Sequence, residues 1–322
     1  MHFTESINLL GPAAGLLTSV FWTFTSIFFT LASRRIGPTV VNAARIALAI
    51  LLLAIIHRLF ISDSATWIPD ANAGQILLLA LSGFIGLAIG DQALFSAFVD
   101  IGPRLSTLLM TTAPLFATLF AWVFLGERMS LVAWIGMTIT ISGIAWVILE
   151  RPRRIGHITS RGRRRGVILA LVAAACQACG LMLSKAGIGH GWLEESRHLD
   201  PQAATLVRMT FAGVAMVPIL LLWRRRMQRL AVAGLRPTRT GSPRSGVAFM
   251  VLGTIFGPVL GVWMSLVAAD ATAVGIAQTL MSLVPIFVLP YAAFIEREHV
   301  SWRAALGALV AVAGVALLFR EA

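Results

Sequence analysis

The stretch "APLFATLFAWVFLGERMS", Ala113 to Ser130, decides the reading of this chain because it occurs twice. Its second copy is "VPIFVLPYAAFIEREHVS", Val284 to Ser301. Pro114 aligns with Pro285, Phe116 with Phe287, Ala121 with Ala292, Glu127 with Glu298 and Ser130 with Ser301, each pair 171 residues apart. The same offset carries Gly86 and Gly90 onto Gly257 and Gly261, Met110 onto Met281, Gly136 onto Gly307 and Gly143 onto Gly314. Shared apolar composition does not explain a gap-free register that keeps a proline, a glutamate and four glycines. Nearer the start of each half the offset differs. Arg45 matches Arg208 at 163, and the "ASR" ending at Arg34 resembles the "LSK" ending at Lys185 at 151. The offset changes only in connections, where added residues cost little entropy.

Working outward, the 322 residues are 58% hydrophobic and 12% charged, with a mean hydropathy of +0.85. Globular proteins carry about 25% charged residues, so this chain cannot solvate the surface of a soluble domain of its size. Gly11–Ser33, Ile46–Ile56 and Leu105–Gly126 contain no charge. A helix needs roughly 20 apolar residues to cross the hydrocarbon core. The expected fold class is therefore an all-α polytopic membrane protein, multi-pass in the cell (inner or plasma) membrane. Ten spans are expected, near 10–32, 39–60, 74–98, 103–125, 130–149, 166–186, 203–223, 246–269, 272–294 and 301–319. They fall into a first five-helix repeat over 10–150, a basic loop over 151–165 and a second five-helix repeat over 166–320. An odd number of helices per repeat makes the second enter the membrane from the opposite side. That inverted topology is the construction of many secondary transporters, with the substrate site where the halves meet.

Of the 26 Lys and Arg residues behind the net charge of +12, 14 are arginines in two connections. Arg151, Arg153, Arg154, Arg161, Arg163, Arg164 and Arg165 crowd one of them. Arg224, Arg225, Arg226, Arg229, Arg236, Arg239 and Arg244 crowd another. Such clusters hold loops in the cytoplasm and touch anionic lipid head groups, which puts both termini outside. No folded soluble domain presents them to nucleic acid, so that partner is excluded. The first apolar run lacks a basic n-region and is long enough to span, so it reads as a retained helix, not a cleaved signal. Cys176 and Cys179 lie within an apolar run and imply small-side-chain packing, without a disulfide, metal or redox role.

Several residues are candidates for a substrate pathway. Asp91 lies deep in the third span, where a charge by default marks a pathway, a relay or a buried pair. It binds a cation or proton and acts in coupling, or neutralises an arginine such as Arg45, or stands at the interface if its helix ends early. Gln92 follows it. Arg45 and Arg208 either snorkel to head groups or turn inward, toward acids or an anionic substrate group. Polar residues at helical spacing mark cavity-facing stripes. They are Thr18, Trp22, Thr25 and Ser26 in the first span, and Thr107, Met110, Thr111, Pro114 and Thr118 in the fourth. Gln177 and Ser184 mark the sixth, and Gln278, Met281, Ser282 and Pro285 the ninth. Trp263 adds a second aromatic group. Pro114 and Pro285 are expected to kink their helices and free carbonyls toward the cavity. Glu127 and Glu298 read as structural, each beside the N-terminus of the next helix, with Ser130 and Ser301 as N-caps. The paired glycines read as packing positions.

The paired "P…GE(R)(x)S" ends, Trp22 in the first span and Arg45 followed by "IALAILLL" resemble the EamA-type branch of the drug/metabolite transporter superfamily. The resemblance runs from about residue 12 to 319. It implies a ten-helix bundle around a central cavity that moves small metabolites, amino acids or amphipathic drugs, often outward. Two departures stand out. "IEREHVS" lacks the glycine before Glu298, and many relatives keep their termini in the cytoplasm, against the arginine bias here. The expected function is a secondary transporter working by alternating access. No nucleotide-binding signature is present to drive it directly. The alternatives are a channel or lipid-handling protein and, less so, an intramembrane enzyme. The six histidines lie at helix ends or in loops, without a nucleophile motif, so no enzyme, cofactor or metal is expected. The expected partners are a small-molecule substrate and membrane lipids at the basic loops, with a homodimer left open.

Overall fold

Without water to bond the backbone, an apolar segment must satisfy its N–H and C=O groups internally, and helices do so. A computed structural model describes residues 9–61, 67–149, 160–193, 198–232, 241–287 and 302–319, and among these no strand occurs. The helices are α1 (Leu10–Ile36), α2 (Pro38–Ile56), α3 (Ala73–Ser82), α4 (Asp91–Met110), α5 (Ala113–Phe120) and α6 (Leu131–Leu149). They continue with α7 (Ser160–Ile188), α8 (Pro201–Val232), α9 (Pro243–Thr254), α10 (Val262–Ala271), α11 (Val274–Met281) and α12 (Trp302–Leu318). Widened π turns join α3 to α4 (Gly83–Gly90) and α9 to α10 (Ile255–Gly261). Those two turns occupy matched positions in the halves.

Among the described residues, seven helical segments are long and apolar enough to cross a membrane. Three further apolar helices are shorter, Leu131–Trp146, Val274–Phe287 and Leu306–Leu318. Together they fall on the ten stretches picked out in the sequence. Glu298 and Ser301 lie outside the described residues. Two helices run further than expected. α7 begins at Ser160 and α8 continues to Val232, both through arginines that the charge pattern assigned to loops. Arginine is a good helix former, and Arg163–Arg165 and Arg224–Arg226 are exposed, so the helices continue where the charges are solvated.

Close backbone approaches explain the repeated glycines. A Cβ on Gly143 would stand 2.6 Å from the Gly307 carbonyl oxygen, and one on Gly136 3.0 Å from that of Gly314. An early position of α6 thus meets a late position of α12 and the reverse, so these helices pack antiparallel. In the π turns, a Cβ on Gly86 would stand 3.5 Å from the Gly180 Cα, and one on Gly257 2.7 Å from the Thr25 side chain. The first π turn therefore seats on α7 and the second on α1.

The prolines act differently from the expectation of a mid-helix kink. The chain leaves the helix for two residues, Thr111–Thr112, and α5 starts anew with Pro114 in its first turn. Ser282–Leu283 break the second copy at the matched place. Tighter bonds bridge the breaks, Thr111 N–H to the Leu108 carbonyl at 3.1 Å and Leu283 N–H to that of Leu280 at 3.3 Å. Proline has no N–H to give, so the carbonyls of Met110 and Met281, four residues upstream, lose that donor.

Candidate functional site: a central cavity with two buried arginines

A cavity of about 160 Å3 lies between the helices of the two halves. At roughly 10–15 Å3 per water, that is room for about ten to sixteen water molecules. α1 contributes Trp22, Thr25, Ser26 and Phe29, and α4 contributes Asp91, Phe95, Phe98, Thr107 and Met110. Gln177 comes from α7, Arg208 from α8 and Ser265 from α10, with Gln278, Met281, Ser282 and Pro285 around the second break. Both helix breaks therefore adjoin it, through Met110 in one half and Met281 in the other.

Arg45 enters from α2 and is 3% exposed. Its guanidinium donates to Asp91 Oδ2 and, from Nε and Nη2, to Asn42 Oδ1 at 3.0 and 2.8 Å. The rings of Phe29 and Phe95 lie 5.5 and 5.3 Å from its charge centre. The other oxygen of Asp91 accepts from Gln177 Nε2 at 2.6 Å. This is a saturated buried pair. Of the readings open for Asp91, pairing with Arg45 is the arrangement present.

Arg208, at the matched position of the second half, is 2% exposed and lines the same cavity. Its Nε is buried without a hydrogen-bond partner, and among the described residues it forms no ion pair. The sequence position that corresponds to Asp91 is Val262, which also lines the cavity. A Cβ on Gly86 would stand 2.8 Å from Arg208 Nη2, and one on Gly180 3.1 Å from it. Two glycines thus clear the space that the guanidinium fills.

Of the other residues singled out, Trp22, Thr107, Gln177, Gln278 and Ser282 line the cavity, whereas Gln92, Thr111, Pro114 and Trp263 do not. Gln92 turns toward α2, donating to the Thr39 hydroxyl at 3.4 Å. The Thr111 hydroxyl bonds the Leu108 carbonyl at 2.6 Å. Phe29, Phe95, Phe98 and Ser265 were missed. The signal was available for two of them, since Phe95 and Phe98 follow Asp91 by four and seven residues on one helical face.

Glu127 is structural in a way the sequence did not show. Its Oε2 accepts from the Val274 N–H of α11 at 2.9 Å, capping a helix of the other half and not α6. Its Oε1 pairs with Lys185 Nζ at 2.6 Å, and Lys185 also donates to the Thr272 carbonyl at 2.8 Å. Ser130 caps α6, accepting from the Ala133 N–H at 3.0 Å. Gly126, at φ 69°, supplies the left-handed residue that ends a π turn over Ala121–Leu125. Cys176 and Cys179 are free thiols, with Cys176 packed against Gly90.

Comparison with known proteins bears on the fold and on the family. A solved crystal structure of a protein superposes with a TM-score of 0.69 over 95% of this chain and 94% of the other. At 15% identity that likeness concerns the fold alone. A protein of Streptantibioticus cattleyicolor described as a probable terminal-alkyne amino-acid exporter is 29% identical over 133 residues. That match takes in 40% of this chain and spans less than half, 44%, of the relative's length. The model of the EamA-like transporter family matches residues 9–149 and again 164–320. The chain is a multi-pass membrane protein and belongs to the EamA-like transporter family.

Proposed function

We propose that this protein is a secondary exporter of small amphipathic metabolites carrying an anionic group, the class to which amino acids belong. The observation that carries the substrate reading is Arg208, a buried cation on the cavity wall without an acid of its own. Asp91 pairs with Arg45 and also acts electrostatically on Arg208, so two guanidiniums share one carboxylate and one positive charge is left to be met in a cavity lined by Trp22, Phe29, Phe95 and Phe98. A carboxylate satisfies the guanidinium with two parallel hydrogen bonds, while the aromatic wall takes the apolar part of the same molecule. The amino-acid cargo in the relative's description fits that chemistry.

Ten crossings as two inverted repeats complete the reading. The antiparallel, reciprocal glycine contacts of α6 and α12 support it, as do the matched π turns and helix breaks. Discontinuous helices at a repeat interface are a recurring feature of secondary carriers. The cavity then opens to alternate sides as the halves rock against each other in the cell membrane. The arginine-rich ends of α7 and α8 lie at the cytoplasmic head groups. Pathway roles for the cavity residues Trp22, Thr107, Gln177, Gln278 and Ser282 belong to this proposal, with Asp91 fixing Arg45.

The test is exchange of labelled amino acids by the reconstituted chain, in wild type and in Arg208→Gln. Saturable exchange that discriminates a carboxylate from its primary amide, with discrimination lost in the variant, is the expected result. Equal transport of acid and amide by wild type overturns the anion role. Non-saturable flux overturns the carrier in favour of a channel. Labelling from outside of cysteines placed in 151–165 or 224–244 overturns the orientation.

A further inference from the structure

Lys185 and Arg208 are 23 residues apart, whereas their counterparts Arg34 and Arg45 are 11 apart. The second half thus carries about a dozen extra residues between α7 and α8, and that insertion contains His190 and His198. Both imidazoles fold back onto Asp270, near the end of α10. His190 Nε2 lies 2.7 Å and His198 Nε2 2.8 Å from the same carboxylate oxygen, Oδ1. The rings stand nearly perpendicular, 87° apart, with centroids 5.9 Å from each other. The three ligand atoms all lie within 4.8 Å of one another.

We infer that His190, His198 and Asp270 form a site for a late first-row divalent cation of the Zn2+ class. Two imidazoles and one carboxylate suit a borderline ion and disfavour Mg2+ or Ca2+, which take oxygen ligands. With metal–ligand distances of about 2.0–2.2 Å, tetrahedral ligand atoms stand about 3.3–3.6 Å apart, so each imidazole nitrogen withdraws from Asp270 Oδ1 by about 0.5–0.9 Å relative to its hydrogen-bonded position. His198 is on a connection and half exposed, so it accommodates that shift and leaves the fourth position to water.

The site has a mechanical consequence that rests on the carrier reading above. Asp270 is two residues from Thr272, whose carbonyl accepts from Lys185, and Lys185 pairs with Glu127. His190 already ties the chain just past α7 to Asp270 by a hydrogen bond, and a bound ion replaces that bond with stronger coordination that also takes in His198. It holds that face of the molecule closed and slows exchange.

The experiment uses the full chain in lipid nanodiscs, titrated with Zn2+ by calorimetry and followed by thermal unfolding. Wild type is expected to bind one ion and gain in Tm, since a ligand of the folded state alone stabilises it. His198→Ala, the most exposed and so the safest for folding, and Asp270→Asn are each expected to bind at least tenfold more weakly and lose the Tm gain. No saturable binding by wild type overturns the site, and so does binding that both variants retain. Zn2+ is further expected to slow exchange by reconstituted wild type and not by His198→Ala. Equal rates with and without Zn2+ in metal-loaded wild type overturn the clamp. Binding is read without transport, so a failed site and a failed carrier reading are told apart.

Discussion

Arg45 and Arg208 occupy matched positions in the two halves, are equally buried and face the same cavity, yet only Arg45 makes an ion pair with Asp91, which acts on Arg208 from further off. Arg45 is held by Asp91, Asn42 and two phenylalanine rings. Arg208 has Val262 at the position equivalent to Asp91, and its Nε has no partner. Matched positions thus carry one arginine fixed by an ion pair, an amide and two rings, and one whose guanidinium lacks those contacts. On the proposed reading, the second is the one that a substrate anion meets.

The sharpest way to break this comparison is to orphan Arg45. Asp91→Asn should destabilise the protein by about 3–5 kcal/mol, the usual effect of removing one partner of a buried pair. Unfolding in detergent measures it, and the double variant Arg45→Met with Asp91→Leu should recover most of the loss. An Asp91→Asn protein as stable as wild type would show the two arginines to be equivalent.

The glycines sharpen the comparison next. Gly86→Ala and Gly257→Ala should each cost about 1–3 kcal/mol by overpacking. Only Gly86→Ala displaces the Arg208 guanidinium, so only that variant should also raise the KM for a carboxylate substrate. Arg208→Gln should leave unfolding nearly unchanged while lowering exchange at least tenfold, equivalent to ~1.4 kcal/mol in the transition state. Stability loss in Arg208→Gln equal to that in Asp91→Asn would refute the division of roles. Lys185→Met removes both the tie to Glu127 and the hydrogen bond to the Thr272 carbonyl, but leaves Glu127 capping α11. Lys185 is buried, so about 1.5–3 kcal/mol is expected in unfolding, as for a charged hydrogen bond, without loss of acid-over-amide discrimination.

Legibility differed from feature to feature. The ten apolar stretches were readable because crossing a bilayer is decided locally by hydropathy over some 20 residues. Cavity-lining Trp22, Thr107, Gln177, Gln278 and Ser282 were readable because polar side chains in an apolar helix face inward. Gln92 shows where that rule ends. Polar and beside Asp91, it is rotated by one residue, about 100° around the helix, and faces α2. The arginines inside α7 and α8 were misplaced into loops because charge marks the membrane boundary and not the helix end.

The sequence by itself determined the membrane class, the helices and the duplication, since hydropathy and a constant offset of 171 are properties of the chain alone. Only the tertiary structure decided which charges are spent. Arg45 and Asp91 are 46 residues apart, Glu127 and Val274 147 apart, and Asp270 lies 72 residues from the nearer of its two histidines. A side chain's partner is set by which helix faces it, and the glycines mark where a close backbone approach occurs without naming the helix that makes it.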